Sequence, residues 1–127
     1  MRYTPEHIDH IAFNEVFVYG SNQFAKHEAG AARKAIQFGA IYEDCPMGLC
    51  GQSYGIITKS FSEYPVTLEF IRLQILTLYE FATLRPEFVF LVTKIGTNLA
   101  GFTIEQIADL FPANHPENIV LPKEFEK

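Results

Sequence analysis

Four short apolar runs without polar alternation punctuate the chain: Val16-Phe17-Val18-Tyr19, Tyr54-Gly55-Ile56-Ile57, Phe88-Val89-Phe90-Leu91-Val92, and Asn118-Ile119-Val120-Leu121 stopped by Pro122. A run that is apolar at every position suits a strand buried on both faces, because successive side chains point to opposite sides of a sheet. Between these runs the period changes. Glu28 to Phe38 is rich in alanine and is closed by Gly39 in the place of a helix C-cap. From about Thr67, Leu68, Ile71, Ile75, Leu78 and Ala82 recur every three to four residues until Arg85-Pro86, which predicts a longer amphipathic helix. Thr103-x-x-Gln106 has capping-box spacing and opens a third helix that runs to Phe111, before Pro112.

Strands alternating with helices demand a mainly parallel sheet with helices packed on its faces, so the expected fold is α/β, a three-layer α/β/α sandwich. Residues 1–14 form an N-terminal extension or edge element, and an antiparallel strand from them would make the sheet mixed. No internal repeat or linker interrupts residues 1–127, which read as one domain. In such sheets ligands bind beyond the carboxyl ends of the strands. Those ends read Gly20-Ser21-Asn22, Thr58-Lys59-Ser60 and Thr93-Lys94-Ile95-Gly96-Thr97-Asn98. Three apolar runs therefore deliver small, polar or cationic residues to one edge, which is the strongest physical pointer to a site.

The segment from Gly96 through Thr97, Asn98, Leu99, Ala100 and Gly101 to Phe102 joins the third strand to the third helix. Its two glycines let the backbone turn sharply and offer N–H groups to a phosphate or pyrophosphate, an arrangement an ordinary turn would also show. It is no Walker A loop, because Phe102 stands where the Lys is needed, ahead of Thr103 in the place of Ser or Thr. Asn22 has the amide to hold a sugar hydroxyl, or to cap its own turn. The small residues Gly30 and Ala31 open the first helix and allow close approach of a ligand or of a strand. His27 is kept among the candidate binding residues, although His27 and Glu28 read as well as a solvated helix start. Lys59 is a candidate nucleophile if burial or a neighbouring cation lowers its pKa, and Lys94 occupies the same relative place on the next strand. His7, His10 and His115 lack sequence partners and read as structural.

Composition narrows the class. With 127 residues, 48% of them hydrophobic, the chain is long and apolar enough for a core without staples. Ten Lys and Arg against 15 Asp and Glu give a net charge of −5, which disfavours long nucleic acid but not a phosphate held by backbone amides. Cys45 and Cys50 have no further ligands to complete a zinc set and read as structural thiols; no metal and no cofactor is expected. Val66 to Leu84 is broken by Glu69, Arg72, Gln74 and Glu80, so no membrane span is expected, and Met1 to Asn14 lacks the apolar run of a secretory leader. A cytoplasmic location follows as the expectation.

The ordered set Val-Tyr-Gly-Ser-Asn22, Ala-Gly30-Ala-Ala, Tyr-Gly-Ile-Ile-Thr-Lys59 and Ile-Gly96-Thr-Asn-Leu-Ala-Gly101-Phe102 resembles the macrodomain superfamily, whose members bind ADP-ribose. The similarity spans about Val16 to Leu121. Ile-Ile-Thr-Lys59 is closer still to the branch containing terminal ADP-ribose protein glycohydrolase and related antitoxin macrodomains. The resemblance implies that Asn22 contacts the distal ribose, that Gly30 and Ala31 line a first phosphate loop, and that Gly96 to Phe102 wrap the pyrophosphate with Phe102 near the distal ribose; Gly20 and Ser21 join them as candidate binding residues. It implies the attacking lysine for Lys59 and an adenine contact for Phe125. Ala100 stands where the glycohydrolases carry an aspartate, and Gly-Ala-Ala where other macrodomains carry theirs, so binding of an ADP-ribose-like nucleotide is better supported than turnover. The alternatives are removal of ADP-ribose from a modified macromolecule through Lys59, and an interaction protein with a degenerate pocket.

Overall fold

The computed structural model describes residues 2–23, 30–41, 44–60, 64–97 and 100–126. Its centre is strand β1 (Glu15–Asn22), and all four residues of the first apolar run are buried. Val16 and Val18 enter one hydrophobic cluster and Phe17 and Tyr19 another, so the strand feeds both faces of the sheet. Helix α1 (Gly30–Gln37) packs Ala35 into the second cluster. Its end follows the glycine signal: Gly39 N–H donates to Ile36 O (3.2 Å) and Ala40 N–H to Ala35 O (3.0 Å), the paired closures of a Schellman cap.

Strand β2 (Gly48–Cys50) and strand β3 (Ser53–Lys59) follow as an antiparallel pair, and β3 then lies parallel to β1. Helix α2 (Leu68–Leu84) starts at Thr67, whose hydroxyl accepts from Phe70 N–H at 3.1 Å, as its position predicts. The expected stripe is its buried face: Ile71, Ile75, Leu78 and Ala82 are fully covered, each of the three large ones contributing about 1.5–3 kcal/mol through burial. Strand β4 (Val89–Val92) pairs with the other side of β1, and β5 (Ile119–Val120) with β4, both parallel. Helix α3 (Ile104–Ala108) lies between β4 and β5, and a 3₁₀ turn at Lys123–Phe125 follows. Asn118 closes the far end of α2, its side-chain N–H₂ donating to Ala82 O (2.9 Å), Arg85 O (3.0 Å) and Phe88 O (3.0 Å).

Among the described residues the sheet is five-stranded and mixed, in the order β2-β3-β1-β4-β5, with α1 on one face and α2 and α3 on the other. The antiparallel member is β2, which carries no sequence signal, whereas residues 2–14 form no strand. The N-terminal segment docks instead at the far edge, where Thr4 N–H donates to Leu121 O and its hydroxyl to Val120 O, both at 2.9 Å. Among the described residues no helix is long and apolar enough to cross a membrane.

Candidate functional site

The topology itself selects a crevice. From β1 the chain leaves through α1 towards β3, and from β4 through α3 towards β5, on opposite faces and in opposite directions. Since β1 and β4 are neighbours, their carboxyl ends part at a switch point, where α/β sheets leave room for a ligand.

There the end of β1 runs between β3 and the loop after β4: a Cβ on Gly20 would stand a tight 3.3 Å from Thr58 Oγ1 and in ordinary contact, 3.5 Å, with the main-chain nitrogen of Gly96. Buried Thr58 donates its hydroxyl to Ser21 O (3.2 Å), and Thr93 Oγ1 donates to Val18 O (2.8 Å). The register shifts between Ser21 and Asn22, with Thr58 the extra residue on β3, and brings Asn22 opposite Lys59. Gln23 N–H then donates to Lys59 O at 3.1 Å.

Lys59 is half-buried and held from its other side as well. The chain after β3 returns so that Pro65 bridges Lys59, with Ser60 N–H on Tyr64 O (2.7 Å) and Val66 N–H on Thr58 O (3.0 Å). One turn back, Gln74 of α2 substitutes for a missing strand. Its Oε1 accepts from Ile57 N–H (2.7 Å) and its Nε2 donates to Ile57 O (2.9 Å), with all three groups buried. In the sequence Gln74 reads only as an interruption of an apolar helix.

The loop after β4 turns at Gly96 (φ 72°), where a Cβ would meet Ile107 Cδ1 at 3.0 Å. Phe102 N–H closes it on Gly96 O (2.9 Å) and Thr97 Oγ1 donates to Lys94 O (2.8 Å). Ala100 is buried, Gly101 exposed, and Phe102 half-buried against the core cluster of α2 and α3. The capping box is present: Thr103 N–H donates to Gln106 Oε1 (2.9 Å) and Gln106 N–H to Thr103 Oγ1 (3.1 Å). The N-cap and third-residue amides are thus satisfied within the helix. Gly30 and Ala31 open α1 on the facing side. His27, Glu28, Asn98 and Leu99 lie outside the described residues.

The two strand-end lysines, alike in sequence, have different surroundings. Lys94 Nζ is 2.8 Å from a Glu6 carboxylate oxygen and 3.5 Å from one of Glu124. The Glu6 hydrogen bond leads in pushing the Lys94 pKa up, so this lysine is a permanent cation binding the N-terminal segment to the 3₁₀ turn. Beside it a cavity of about 220 Å³ is walled by Thr4, Pro5, Ile8, Phe17, Ala31 and Thr93, with Lys34 and Lys94 also lining it. Phe125 does not serve this edge. It is 1% exposed and packs its ring on Phe111 (centroids 5.3 Å apart), so it has no face to offer a base. His7 and His10 are exposed, while His115 lies across the molecule, its Nδ1 2.9 Å from Pro116 O. Among the described residues no three His, Cys, Asp or Glu side chains are grouped to hold a metal ion.

Comparison with protein-family models, curated proteins and solved structures finds no match to this chain. The function of the edge therefore rests on its own residues.

Proposed function

We propose that the carboxyl edge of the sheet binds ADP-ribose or a related nucleoside diphosphate. The observation that carries this is the switch point, where the end of β1 and the Gly96 loop lie side by side next to the Asn22–Lys59 pair. Backbone N–H groups of the Gly96 loop suit a pyrophosphate, and the Asn22 amide suits a ribose hydroxyl. The neighbouring cavity of about 220 Å³ joins apolar walls to the polar groups of Glu6, His7, Lys34 and Lys94. Helices on both faces agree with the three-layer, macrodomain-like arrangement that the sequence resembles. Calorimetry with ADP-ribose up to millimolar concentration tests the proposal: saturable heat and a raised melting temperature are expected, and the absence of both overturns it in favour of a degenerate pocket.

The register of Asn22 against Lys59 favours one further reading, release of ADP-ribose from a modified macromolecule. Lys59 Nζ would attack the anomeric carbon of the distal ribose, forming a C–N bond as the bond to the macromolecule breaks and the leaving group takes a proton; water would then hydrolyse the lysine adduct. Buried Ala100 supplies no acid for this step, so binding is the primary reading. Lys59→Ala separates the two: abolished release with ADP-ribose affinity kept within a few fold supports the reaction, and an unchanged rate removes Lys59 from it.

A further inference from the structure

The N-terminal segment forms one wall of the cavity beside the candidate site without joining the sheet. Thr4 and Ile8 are its buried anchors, and Pro5, Glu6 and His7 between them are exposed. Thr4 is held by its two hydrogen bonds at the end of β5, and Ile8 packs in the cluster of Phe17 and Ala35. One residue on, Lys34 Nζ of α1 meets Asp9 Oδ1 at 3.2 Å and Gln37 Nε2 donates to Asp9 O at 2.6 Å. The facing wall includes two places where a ligand is expected: Ala31 at the start of α1, and Thr93 and Lys94 leading into the Gly96 loop.

The cation of that facing wall already holds an oxyanion, and it comes from the chain itself. Lys94 Nζ donates to Glu6 Oε1 at 2.8 Å, the length of a charge-assisted hydrogen bond, while Glu124 stands off at 3.5 Å. Among the described residues Glu6 is the one carboxylate that lines the cavity; Glu124 reaches the same ammonium without lining it. With the Glu6 side chain 62% exposed, the pair is weak and open to exchange.

We propose, building on the nucleotide reading above, that Lys94 is an anion-binding residue of that site and that Glu6 is a built-in competitor, displaced from Lys94 by a phosphate of the ligand. Main-chain amides of the Gly96 loop carry only partial charges, and an ammonium two residues ahead adds a full one. The Glu6 contact shows that an oxyanion fits against this ammonium from the cavity side. Because Thr4 and Asp9 fix the chain on either side of it, Glu6 is kept at high local concentration, and a ligand has to outcompete a tethered anion.

Calorimetric titration of the full chain and its variants with ADP-ribose provides the test, with thermal unfolding to confirm that each variant is folded. Glu6→Gln keeps the size of the side chain and removes its charge, and should tighten binding about two- to fivefold. Glu124→Gln removes the same charge from beside the same ammonium but not from the cavity, and should change affinity by less than about twofold. Lys94→Met should weaken binding and abolish the gain from Glu6→Gln in the double variant. Equal tightening by Glu6→Gln and Glu124→Gln, or a gain that survives in the double variant, overturns the proposal. Saturable binding of equal strength in wild type and Glu6→Gln removes the competitor and leaves the nucleotide reading standing, whereas no saturable heat from any of the proteins removes both.

Discussion

Replacing Gln74 by Leu should cost more than any exposed substitution on α2, for a reason specific to one residue of β3. The Gln74 amide is the partner of both Ile57 N–H and Ile57 O, at 2.7 and 2.9 Å, and Ile57 and Gln74 are 5% and 6% exposed. A leucine fits the space but leaves a buried donor and a buried acceptor unpaired, each at about 1–3 kcal/mol, offset in part by about 1 kcal/mol of added apolar burial. The net loss is roughly 2–4 kcal/mol against a whole-domain stability of about 5–15 kcal/mol. In urea, where domains of this size lose about 1–3 kcal/mol per molar, the unfolding midpoint should fall by roughly 1–2 M with unchanged slope. Thr77→Ala, exposed on the same helix, should shift stability by no more than about 0.5 kcal/mol. Gln74→Glu adds a sharper readout: only its protonated form can both accept from Ile57 N–H and donate to Ile57 O. Its folded-state pKa is therefore raised, and its deficit relative to wild type should shrink as pH falls and grow as pH rises through that value. A Gln74→Leu protein whose stability stays within about 0.5 kcal/mol of wild type would refute the role of Gln74 as the outer partner of β3.

Gly96→Ala combines a positive φ with a Cβ 3.0 Å from Ile107 Cδ1, and should cost about 1–2 kcal/mol and weaken ADP-ribose binding; Gly101→Ala, equally left-handed but in open space, should pay only the backbone part. Thermal unfolding of both and titration of the folded proteins separate these effects. Glu15 is held below the ordinary carboxylate range first by Ala12 N–H (2.8 Å), then by Arg2. Its stabilisation is full at neutral pH and is lost as pH falls through that lowered value, so Glu15→Gln should flatten the acid limb of a melting-temperature profile. Lys94→Met should lower the protection of the Thr4 amide from exchange with little change in global stability. In the wild type that protection, taken relative to the intrinsic rate at each pH, should fall in acid, because Glu6 is held low by its hydrogen bond to Lys94 and loses that partner once protonated.

What the sequence discloses is whatever is decided locally. The Thr67 and Thr103 caps, the Gly39 terminator and the Ile71-Ile75-Leu78 stripe depend on residues within one or two turns, and all are present. Strand β2 is weakly signalled although its partner is near: Gly48-Leu49-Cys50 has no strand composition, and it pairs with β3 only because a two-residue turn at Gly51-Gln52, with Gly51 left-handed (φ 61°), folds it back. Thr4 is likewise invisible, since its partners are Val120 and Leu121 at the opposite end of the chain. The convergence of three strand ends is legible from alternation alone, because parallel strands must end on one edge. The different surroundings of the two strand-end lysines are not, since Glu6 and Glu124 reach Lys94 from far along the chain on either side. Phe125 misleads for a related reason: a terminal aromatic reads as available until its partner, Phe111, is known.

The borders of the sheet have a consequence for how this molecule behaves among copies of itself. Beyond the short β2, the outer backbone of β3 is occupied in turn by Gln74 at Ile57 and by Val66 and Pro65 at Thr58 and Lys59. At the opposite border β5 has only two residues, and Thr4 takes the carbonyls that follow. Among the described residues, a strand of a neighbouring molecule thus finds at either side no long row of open amides on which to template cross-chain pairing, the usual route from a concentrated α/β protein to fibrils. Gln74 and Thr4 serve colloidal safety as well as folding, and crowding should be tolerated for as long as both stay in place.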